Sequence, residues 1–336
     1  EGRSKTGVGT RRYILGKVAQ AVLTLAFVMV FNFFLFRVLP GDPGALLLRG
    51  TTAFNPENLE EVRADLGLDK PLPQQFLTYV TDTARFEFGE SFYLRGADVA
   101  EVIGDRIWPT ILLLGTSTIA SAIIGLIIGI YGGWRHGSKF DVGSLSFTLF
   151  VYAMPEFWFG ILVLMAFAGG VGPFPAIFPT GGYETPGADL GAWAHVTDIL
   201  NHLFLPWMVL TIAYLGQYAL IMRNSVIDVM NDDFVQTARA KGVREKQVLR
   251  HHVVPNALLP TMTLILLSLG FIFGGAITIE YVFSYPGLGL LTVQAIDAKD
   301  YPLLQGLFLL FSAAVILANL IADVLYSYLD PRVRAA

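Results

Sequence analysis

The sequence has 336 residues, of which 54% are hydrophobic and only 15% are charged, and its mean hydropathy is +0.57. A soluble chain normally carries about 25% charged residues, so this composition excludes an ordinary soluble protein and favours a helical bundle in a membrane. The net charge of −4 is too small to indicate nucleic-acid binding, and the absence of cysteine excludes disulfides and thiolate sites.

Six apolar segments are long enough to cross a lipid bilayer as helices. A spanning helix needs about 20 mostly apolar residues to cross roughly 30 Å of hydrocarbon. The segments that meet this requirement are residues 15–38, 108–133, 144–169, 203–222, 257–282 and 304–328. The sequence therefore predicts an all-α fold, that of a polytopic membrane protein with six transmembrane helices.

The distribution of lysine and arginine predicts how these helices are oriented. Four short connections hold 15 of the 23 basic residues, and they are residues 1–17, 134–143, 223–256 and 329–336. Short loops rich in basic residues face the cytoplasm. We therefore expect both termini to be cytoplasmic, with residues 1–14 as the N-terminal segment and residues 329–336 as the tail. The first apolar run is too long for a cleavable signal peptide.

The first external connection, residues 40–107, is long enough for a small helical subdomain outside the cytoplasm. Asn55 as cap and Pro56 in the first turn predict one short helix. A second helix is predicted near residues 74–85. Residues 97–107 are amphipathic and are predicted to lie along the membrane surface before the second span begins.

Glycines at four-residue intervals predict close packing between helices. Gly125, Gly129 and Gly133 follow this spacing in the second predicted span, and Gly270 and Gly274 follow it in the fifth. Small residues at this spacing allow two helix backbones to approach each other. We therefore expect a packing role for these glycines.

An acidic residue lies near the middle of the third predicted span. Glu156 follows Pro155, which removes a backbone hydrogen bond and should kink the helix. A carboxylate at a helix centre costs about 2.5–3.5 kcal/mol on insertion scales, so it rarely faces lipid. Two interpretations stay open: a residue of a translocation pathway or its gate, and a carboxyl buried against a neighbouring helix.

The fourth predicted span follows a connection, residues 170–202, that contains six glycines, four prolines and no lysine or arginine, as is typical of an external loop. Within this span the polar residues that could line a translocation surface are Thr211, Tyr214, Gln217 and Tyr218. Hydrogen bonding between helices is the alternative role for these residues. Asn32 in the first span has the same two interpretations.

The sixth predicted span has one polar face, formed by Ser312, Asn319, Asp323 and Ser327. Such a face must contact protein or water. Asn319 is a candidate for the pathway. Asp323 lies close to the inner end of the helix, so we expect it to pair with an arginine of an inner loop.

The cytoplasmic connection 223–256 has the pattern of a short amphipathic helix. Asn231 is the predicted N-cap, acidic residues follow it, and basic residues precede Gly242 at the other end. This order of charges complements the helix dipole, and glycine is typical just after a helix. Phe234 and Ala238 lie four residues apart on one face, which would present an aromatic side chain to a pocket on another protein. A basic stretch then leads to Pro255, where the fifth span is predicted to begin.

The same connection resembles a loop of a known family. The segment Gln236-Thr237-Ala238-Arg239-Ala240-Lys241-Gly242, with Pro255 thirteen residues after the glycine, resembles the "EAA" loop of bacterial ATP-binding-cassette importer permeases. Gln236 and Thr237 depart from the Glu and Ala of the family pattern. The form TARAKG is similar to that of the peptide and nickel branch.

Further motifs in the same order along the chain resemble the B-type permease of dipeptide and oligopeptide importers. They are LPGDP (39–43), LGLDKPLPQQF (66–76), PEFW (155–158), IEYVFSYPGLG (279–289), DYPLLQG (300–306) and ADVLYSYLDPRVR (322–334). The resemblance implies a permease core over residues 108–328 that includes the coupling loop 223–256.

In that family the loop forms a coupling helix that docks in a cleft of the ATPase subunit. The resemblance implies this role for Phe234, Gln236, Thr237, Ala238, Arg239, Lys241, Gly242 and Pro255. It also implies the bacterial inner membrane as location and four kinds of partner: a homologous second permease, two ATP-binding-cassette ATPase domains, an extracytoplasmic solute-binding protein, and lipid. ATP and Mg would be bound by the ATPases, with no cofactor in this chain.

Enzymatic functions find no support in the sequence, and no catalytic residue is predicted. The phosphate-binding pattern G-x-x-x-x-G-K-[ST] does not occur, so ATP hydrolysis is expected in separate subunits. The five histidines lie outside the interiors of the predicted spans and form no predicted metal site. Two alternatives stay open: import of a nickel chelate or another small solute, and an ion channel or carrier that works without ATPases. Without the resemblance, the basic loop is explained equally well by its cytoplasmic position.

Overall fold

A computed structural model describes residues 6–38, 69–94, 96–170 and 175–329. Within these residues the chain folds into helices, which we number in chain order: α1 Thr6–Phe33, α2 Leu72–Ala84, α3 Val99–Thr110, α4 Thr116–Trp134, α5 Lys139–Ala153, α6 Glu156–Phe167, α7 Ala192–Met230, α8 Asp233–Ala240, α9 Glu245–Val248, α10 Val254–Phe271, α11 Ile277–Val282, α12 Leu288–Ala298 and α13 Tyr301–Leu329. Shorter turns adjoin them: the π-helical turns Phe34–Val38, Ile111–Gly115 and Leu249–Val253, and the 3-10 turn Ile272–Gly274. The predicted all-α fold is confirmed for this part of the chain.

The helices form two compact units. One unit contains the described residues within 1–108 and 287–336, and the other contains those within 109–286. The core of the first unit is a cluster of apolar side chains from the turn Phe34–Val38, α3, α12 and α13. The second unit has two cores, one around the middle of α7 and α11 and one around the end of α7, α8 and the start of α10.

Buried polar contacts fix the connections of the first unit. The carboxylate of Asp300, which is fully buried, accepts hydrogen bonds from Ser91 Oγ at 2.6 Å and from the backbone N–H of Tyr93 at 2.9 Å. Its other oxygen accepts from the N–H of Leu303 in the first turn of α13. One side chain therefore caps a helix and holds the loop that precedes α3.

The polar residues predicted in the first and sixth spans also find partners within this unit. Asn32 is buried and donates to Tyr79 Oη at 3.2 Å and to the carbonyl of Gln305 at 3.0 Å, so its role here is hydrogen bonding between helices. Asp323 pairs with Lys17 of α1 at 3.0 Å. The prediction of an inner-loop arginine as its partner is wrong, because α1 packs beside α13 and supplies a nearer cation.

Four helical stretches are long and apolar enough to cross a membrane, and they are Tyr13–Phe36, Val99–Trp134, Ala192–Met230 and Tyr301–Val324. They correspond to the first, second, fourth and sixth predicted spans. The fourth is far longer than predicted, because α7 begins inside the loop predicted over residues 170–202 and ends at Met230. Joined as one span, α5 and α6 would make a fifth.

The third predicted span is broken, where the sequence predicts one kinked helix. α5 and α6 meet at an angle of 97°. Met154 and Pro155 at the break have ψ angles of 128° and 122°, far from helical values. Proline lacks a backbone N–H and disfavours the helical conformation of the residue before it, which explains the position of the break.

The fifth predicted span, residues 257–282, is likewise interrupted. α10 ends at Phe271, the turn Ile272–Gly274 follows, and Gly275 takes a positive φ of 71° before α11 begins. Adjacent glycines at 274 and 275 favour such a break, because glycine adopts this conformation without steric cost. A Cβ built on Gly274 would meet no atom within 4 Å, so the predicted role of this glycine in close packing is wrong.

The connections between spans contain helices of both predicted and unpredicted kinds. α2 confirms the helix predicted near residues 74–85, and α3 begins at Val99 and covers most of the amphipathic residues 97–107. α12 was not predicted. The helix predicted to begin at Asn55 and the motif LPGDP lie outside the described residues.

Candidate functional site

The candidate coupling segment begins where α7 ends. Asn231 is the C-cap of α7, and its backbone N–H donates to the carbonyl of Asp228 at 3.1 Å. Asp232 takes the N-cap position of α8. The prediction of Asn231 as N-cap is therefore wrong by one residue, because the long α7 uses Asn231 to end.

The end of α8 agrees with the sequence. The helix stops at Ala240, Lys241 follows as its C-cap, and Gly242 takes a φ of +78°. The predicted glycine stop is confirmed, and its backbone is left-handed. Pro255 lies at the second residue of α10, also as predicted.

One face of α8 is anchored to the rest of the unit. Val235 is fully buried and Ala238 is 7% exposed. Both belong to a cluster with side chains of α7, α9, the turn Leu249–Val253 and α10, which are Met222, Val226, Val248, Val253 and Ala257. The prediction that Ala238 shares an outward face with Phe234 is wrong, because Ala238 packs inward with Val235, three residues before it.

The rest of the α8 surface is exposed, including Phe234, which lies at the edge of the buried face, one turn before Ala238. Phe234 is 41% exposed although it is a large apolar side chain. Gln236, Thr237 and Lys241 are exposed around it. Thr237 Oγ1 donates to the carbonyl of Asp233 at 2.8 Å, so its hydroxyl is hydrogen-bonded within α8. α8 is thus a short amphipathic helix with a buried base, formed by Val235 and Ala238, and an exposed aromatic side chain, Phe234.

Arg239 differs from its exposed neighbours, because its guanidinium is engaged within the chain. Its Nε and Nη2 donate to the two carboxylate oxygens of Glu245 at 3.1 and 3.3 Å. Its Cζ lies 5.5 Å from the centre of the Trp134 ring at the end of α4. The sequence predicts Arg239 only as a contact to an ATPase and gives no sign of these two partners.

A buried ion pair ties the start of α5 to α7 in the same unit. Arg223 donates from Nη2 to Asp141 Oδ2 at 2.9 Å and from Nε to Oδ1 at 2.5 Å. Asp141 is 2% and Arg223 13% exposed. His136 Nδ1 lies 3.1 Å from Asp141 Oδ2, and the N–H of Gly137 donates to the same oxygen at 2.9 Å. The carboxylate therefore accepts three hydrogen bonds, two from Arg223 and one from Gly137, with His136 Nδ1 next to it.

The sequence does not predict this cluster, although it contains one local signal for its start. Ser138 Oγ accepts a hydrogen bond from the N–H of Asp141 and is the N-cap of α5. A serine followed three residues later by an acidic residue, before an apolar run, is a helix-start signature. It predicts the helix start at Lys139, but it does not predict the partner Arg223, which lies 82 residues further along the chain.

The candidate pathway residue Glu156 lies in the first turn of α6, just after the break. Its Oε1 accepts a hydrogen bond from Thr278 Oγ1 of α11 at 2.7 Å, and its side chain is partly exposed. Glu280 of α11 is fully buried, and its Oε1 accepts from Thr110 Oγ1 at 3.3 Å. Two glutamates thus lie at two helix breaks, one accessible and one enclosed.

The other pathway candidates are divided between the two units. Tyr214 and Gln217 are half-buried on α7, in the same unit as Glu156. Asn319 is exposed on α13 in the first unit. The structure thus places Glu156 and Tyr214 in the second unit, while Asn319 belongs to the other unit.

The three glycines of α4 meet the backbone of α7. A Cβ built on Gly129 would lie 2.6 Å from the carbonyl oxygen of Ala219, and one on Gly133 would lie 2.7 Å from that of Arg223. A Cβ built on Gly125 would likewise lie 2.8 Å from the carbonyl oxygen of Leu215. Distances this short leave no room for a side chain. The predicted packing role is confirmed for these glycines.

Comparison with known proteins gives a consistent result over both parts of the chain. Residues 121–335 match the family described as "binding-protein-dependent transport system inner membrane component", and residues 10–113 match the corresponding N-terminal family.

Within the described residues, no group of three or more His, Cys, Asp or Glu side chains is placed to hold a metal ion.

Relatives align over almost the whole length of this chain. A putative peptide permease protein of Brucella suis is 35% identical over 323 residues, which cover 96% of this chain and 99% of the relative. The oligopeptide transport system permease protein AppB of Bacillus subtilis is 34% identical, with 96% and 98% covered. The probable peptide ABC transporter permease protein y4tP of Sinorhizobium fredii is 34% identical, with 96% and 99% covered. The chain therefore belongs to the family of inner-membrane components of binding-protein-dependent transport systems.

Proposed function

We propose that this chain forms half of a translocation pathway for dipeptides or oligopeptides and is driven by cytoplasmic ATPases through α8. The observation that carries the coupling role is the construction of α8, which is fixed to its own unit by Val235 and Ala238 and leaves the large apolar side chain of Phe234 exposed beside that buried face. The names of the relatives support peptides as cargo. A channel or carrier without ATPases does not fit membership of a binding-protein-dependent family.

The proposed topology has six crossings with both termini in the cytoplasm. The crossings would be formed by α1, α4, the α5–α6 pair, α7, α10 and α13, and residues 40–107 would form a subdomain outside. Four apolar stretches and one bent pair support five of them. The basic residues concentrated in residues 134–143 and 223–256 support the orientation.

The family implies a solute-binding protein and ATPase partners. We propose a stoichiometry of one homologous second permease and two ATP-binding-cassette domains, with ATP and Mg bound by those domains and no cofactor in this chain. In this assembly the exposed residues Gln236, Thr237 and Lys241 would surround Phe234 in the ATPase cleft, and Gly242 and Pro255 would set the ends of the segment.

Replacing Phe234 with alanine should release the ATPases from the permease. Truncating an aromatic anchor at an interface typically costs about 2 kcal/mol or more, which is roughly thirtyfold in affinity. The measurement is co-purification of the ATPases with the permease, together with uptake of a labelled dipeptide in cells. Both should fall strongly.

Phe140→Ala is the matched control for this experiment. Phe140 is also an exposed aromatic residue of a predicted cytoplasmic connection, at 48% exposure, but it lies on α5. Its truncation should leave assembly and uptake unchanged. Unchanged assembly of the Phe234→Ala protein would contradict the anchor role, and uptake of a nickel chelate without uptake of peptides would contradict the proposed cargo.

Glu156 is proposed to border the water-accessible pathway, with Tyr214 and Gln217 of α7 as further candidates in the same unit. Asn319 of α13 is proposed separately as a pathway residue of its own unit. A carboxylate at this depth must be hydrated, paired or protonated. A cysteine at position 156 should therefore react with a water-soluble thiol reagent, and ATP should change the rate. The chain contains no natural cysteine, so labelling is specific to the introduced thiol.

Glu280→Cys provides the buried counterpart in the same experiment. Both glutamates lie in the first turn of a helix that follows a break, but Glu280 is fully buried. Its cysteine should label much more slowly. If Glu156→Cys stays unreactive with and without ATP while Glu156→Gln transports normally, Glu156 is a structural carboxyl bound to Thr278.

A further inference from the structure

α8 is held by two kinds of contact that act at different places. Its buried base, Val235 and Ala238, packs against α7 and α10. Its last turn carries Arg239, which reaches Trp134 and Glu245. The base fixes where the helix lies, and the contacts of Arg239 restrict rotation of the helix about that base.

The guanidinium of Arg239 makes both its paired hydrogen bonds and its cation–π contact within its own chain. Its planar edge donates two hydrogen bonds to the Glu245 carboxylate, at 3.1 and 3.3 Å. Its charge lies over the Trp134 ring. Two donors in a fixed fork and attraction to an aromatic face are the interactions that distinguish arginine from lysine.

Trp134 is itself attached to the membrane helices. It is the last residue of α4, and the preceding Gly133 lies in contact with α7, where a Cβ would meet Arg223 O at 2.7 Å and Val226 Cβ at 2.8 Å. Motion of α4 against α7 is therefore restricted just before Trp134. A contact from α8 to Trp134 connects the coupling segment to this rigid helix pair.

We propose that Trp134, Arg239 and Glu245 form a strut that sets the orientation of α8 relative to α4, and that Arg239 is a positioning residue and not an ATPase contact. The inference rests on the proposed function of α8. Partly exposed ion pairs and cation–π contacts contribute little to folding stability. Loss of the strut should thus leave the protein folded and assembled while reducing the amount of peptide imported for each ATP hydrolysed.

The test uses the complete transporter reconstituted in vesicles, with ATP hydrolysis and peptide import measured in parallel. Trp134 also packs against the cluster that contains Val235 and Ala238, so Trp134→Ala removes packing as well as the cation–π contact. Glu245→Gln removes the ion pair alone and should co-purify with the ATPases as the wild type does. Import per ATP should fall about fivefold or more, the lower end of typical coupling between two sites. Trp134→Phe, which keeps an aromatic face, should restore most of the ratio, and Arg239→Gln combined with Trp134→Ala should be no worse than either change alone.

Arg135→Gln is the matched control, because it removes an exposed cation next to Trp134 without touching the strut. Its import per ATP should equal that of the wild type. An unchanged ratio in both Trp134→Ala and Glu245→Gln would overturn the strut. Loss of the ATPases from Arg239→Gln but not from Trp134→Ala would also overturn it, since Arg239 would then be a direct contact. Failure of the wild type to bind ATPases would instead refute the proposed function.

Discussion

Replacing Arg223 with leucine should destabilise the protein by about 3–5 kcal/mol, the usual cost of removing one partner from a buried ion pair. The change leaves the carboxylate of Asp141 buried with less than its full set of donors, since Arg223 supplies two of its hydrogen bonds. His136 stays as a neighbour at 3.1 Å, which favours the lower end of this range. Thermal or denaturant unfolding of the purified protein in detergent measures the effect.

Two further variants separate the buried pair from ordinary charge effects. Asp141→Asn combined with Arg223→Leu should recover part of the lost stability, because the buried charge is then removed with its partner. Glu245→Gln breaks a partly exposed pair, with side chains 30% and 60% exposed, and should cost under about 1 kcal/mol. Equal losses in Arg223→Leu and Glu245→Gln would show that burial of Asp141 is not decisive.

The helices were predictable where they depend on apolar length alone. Long uninterrupted runs predict α1, α4, α7 and α13 because the signal is the number of consecutive apolar residues. The helix breaks at Pro155 and Gly275 were harder to predict from the sequence. A proline in an apolar run produces a kink in one context and a full break in another, according to which neighbouring helices satisfy the freed backbone groups.

In the candidate site, too, the features that depend on local contacts were predictable from the sequence, and those that depend on distant contacts were not. The start and stop signals of α8, including Gly242, depend on residues within one turn and were predicted to within one or two positions. Which side of α8 is buried depends on side chains from three other helices, so Val235 was missed. The pairing of Asp141 with Arg223 depends on tertiary packing across 82 positions, for which one sequence contains no signal.

A larger residue at Gly129 should prevent normal packing of α4 on α7. A Cβ there would lie 2.6 Å from the carbonyl oxygen of Ala219 and 2.7 Å from the Cβ of Met222. Neither atom is the end of a flexible side chain, so the two helices themselves must separate. Overpacking of this kind costs about 1–3 kcal/mol and sometimes more. We expect Gly129→Leu to exceed that range and to give little folded protein by size-exclusion chromatography in detergent.

Gly143→Leu is the matched control for Gly129→Leu. Gly143 lies inside α5 of the same unit, and a Cβ built on it meets nothing within 4 Å. Glycine inside a helix is about 1 kcal/mol less favourable than a good helix former, so this substitution should be neutral or stabilising. Gly129→Ala should lie between the two, since its single methyl group already meets the α7 backbone. Normal yield and stability of Gly129→Ala would mean that α4 and α7 are further apart than 2.6 Å contacts allow, and the packing role of the glycine series would fail with it.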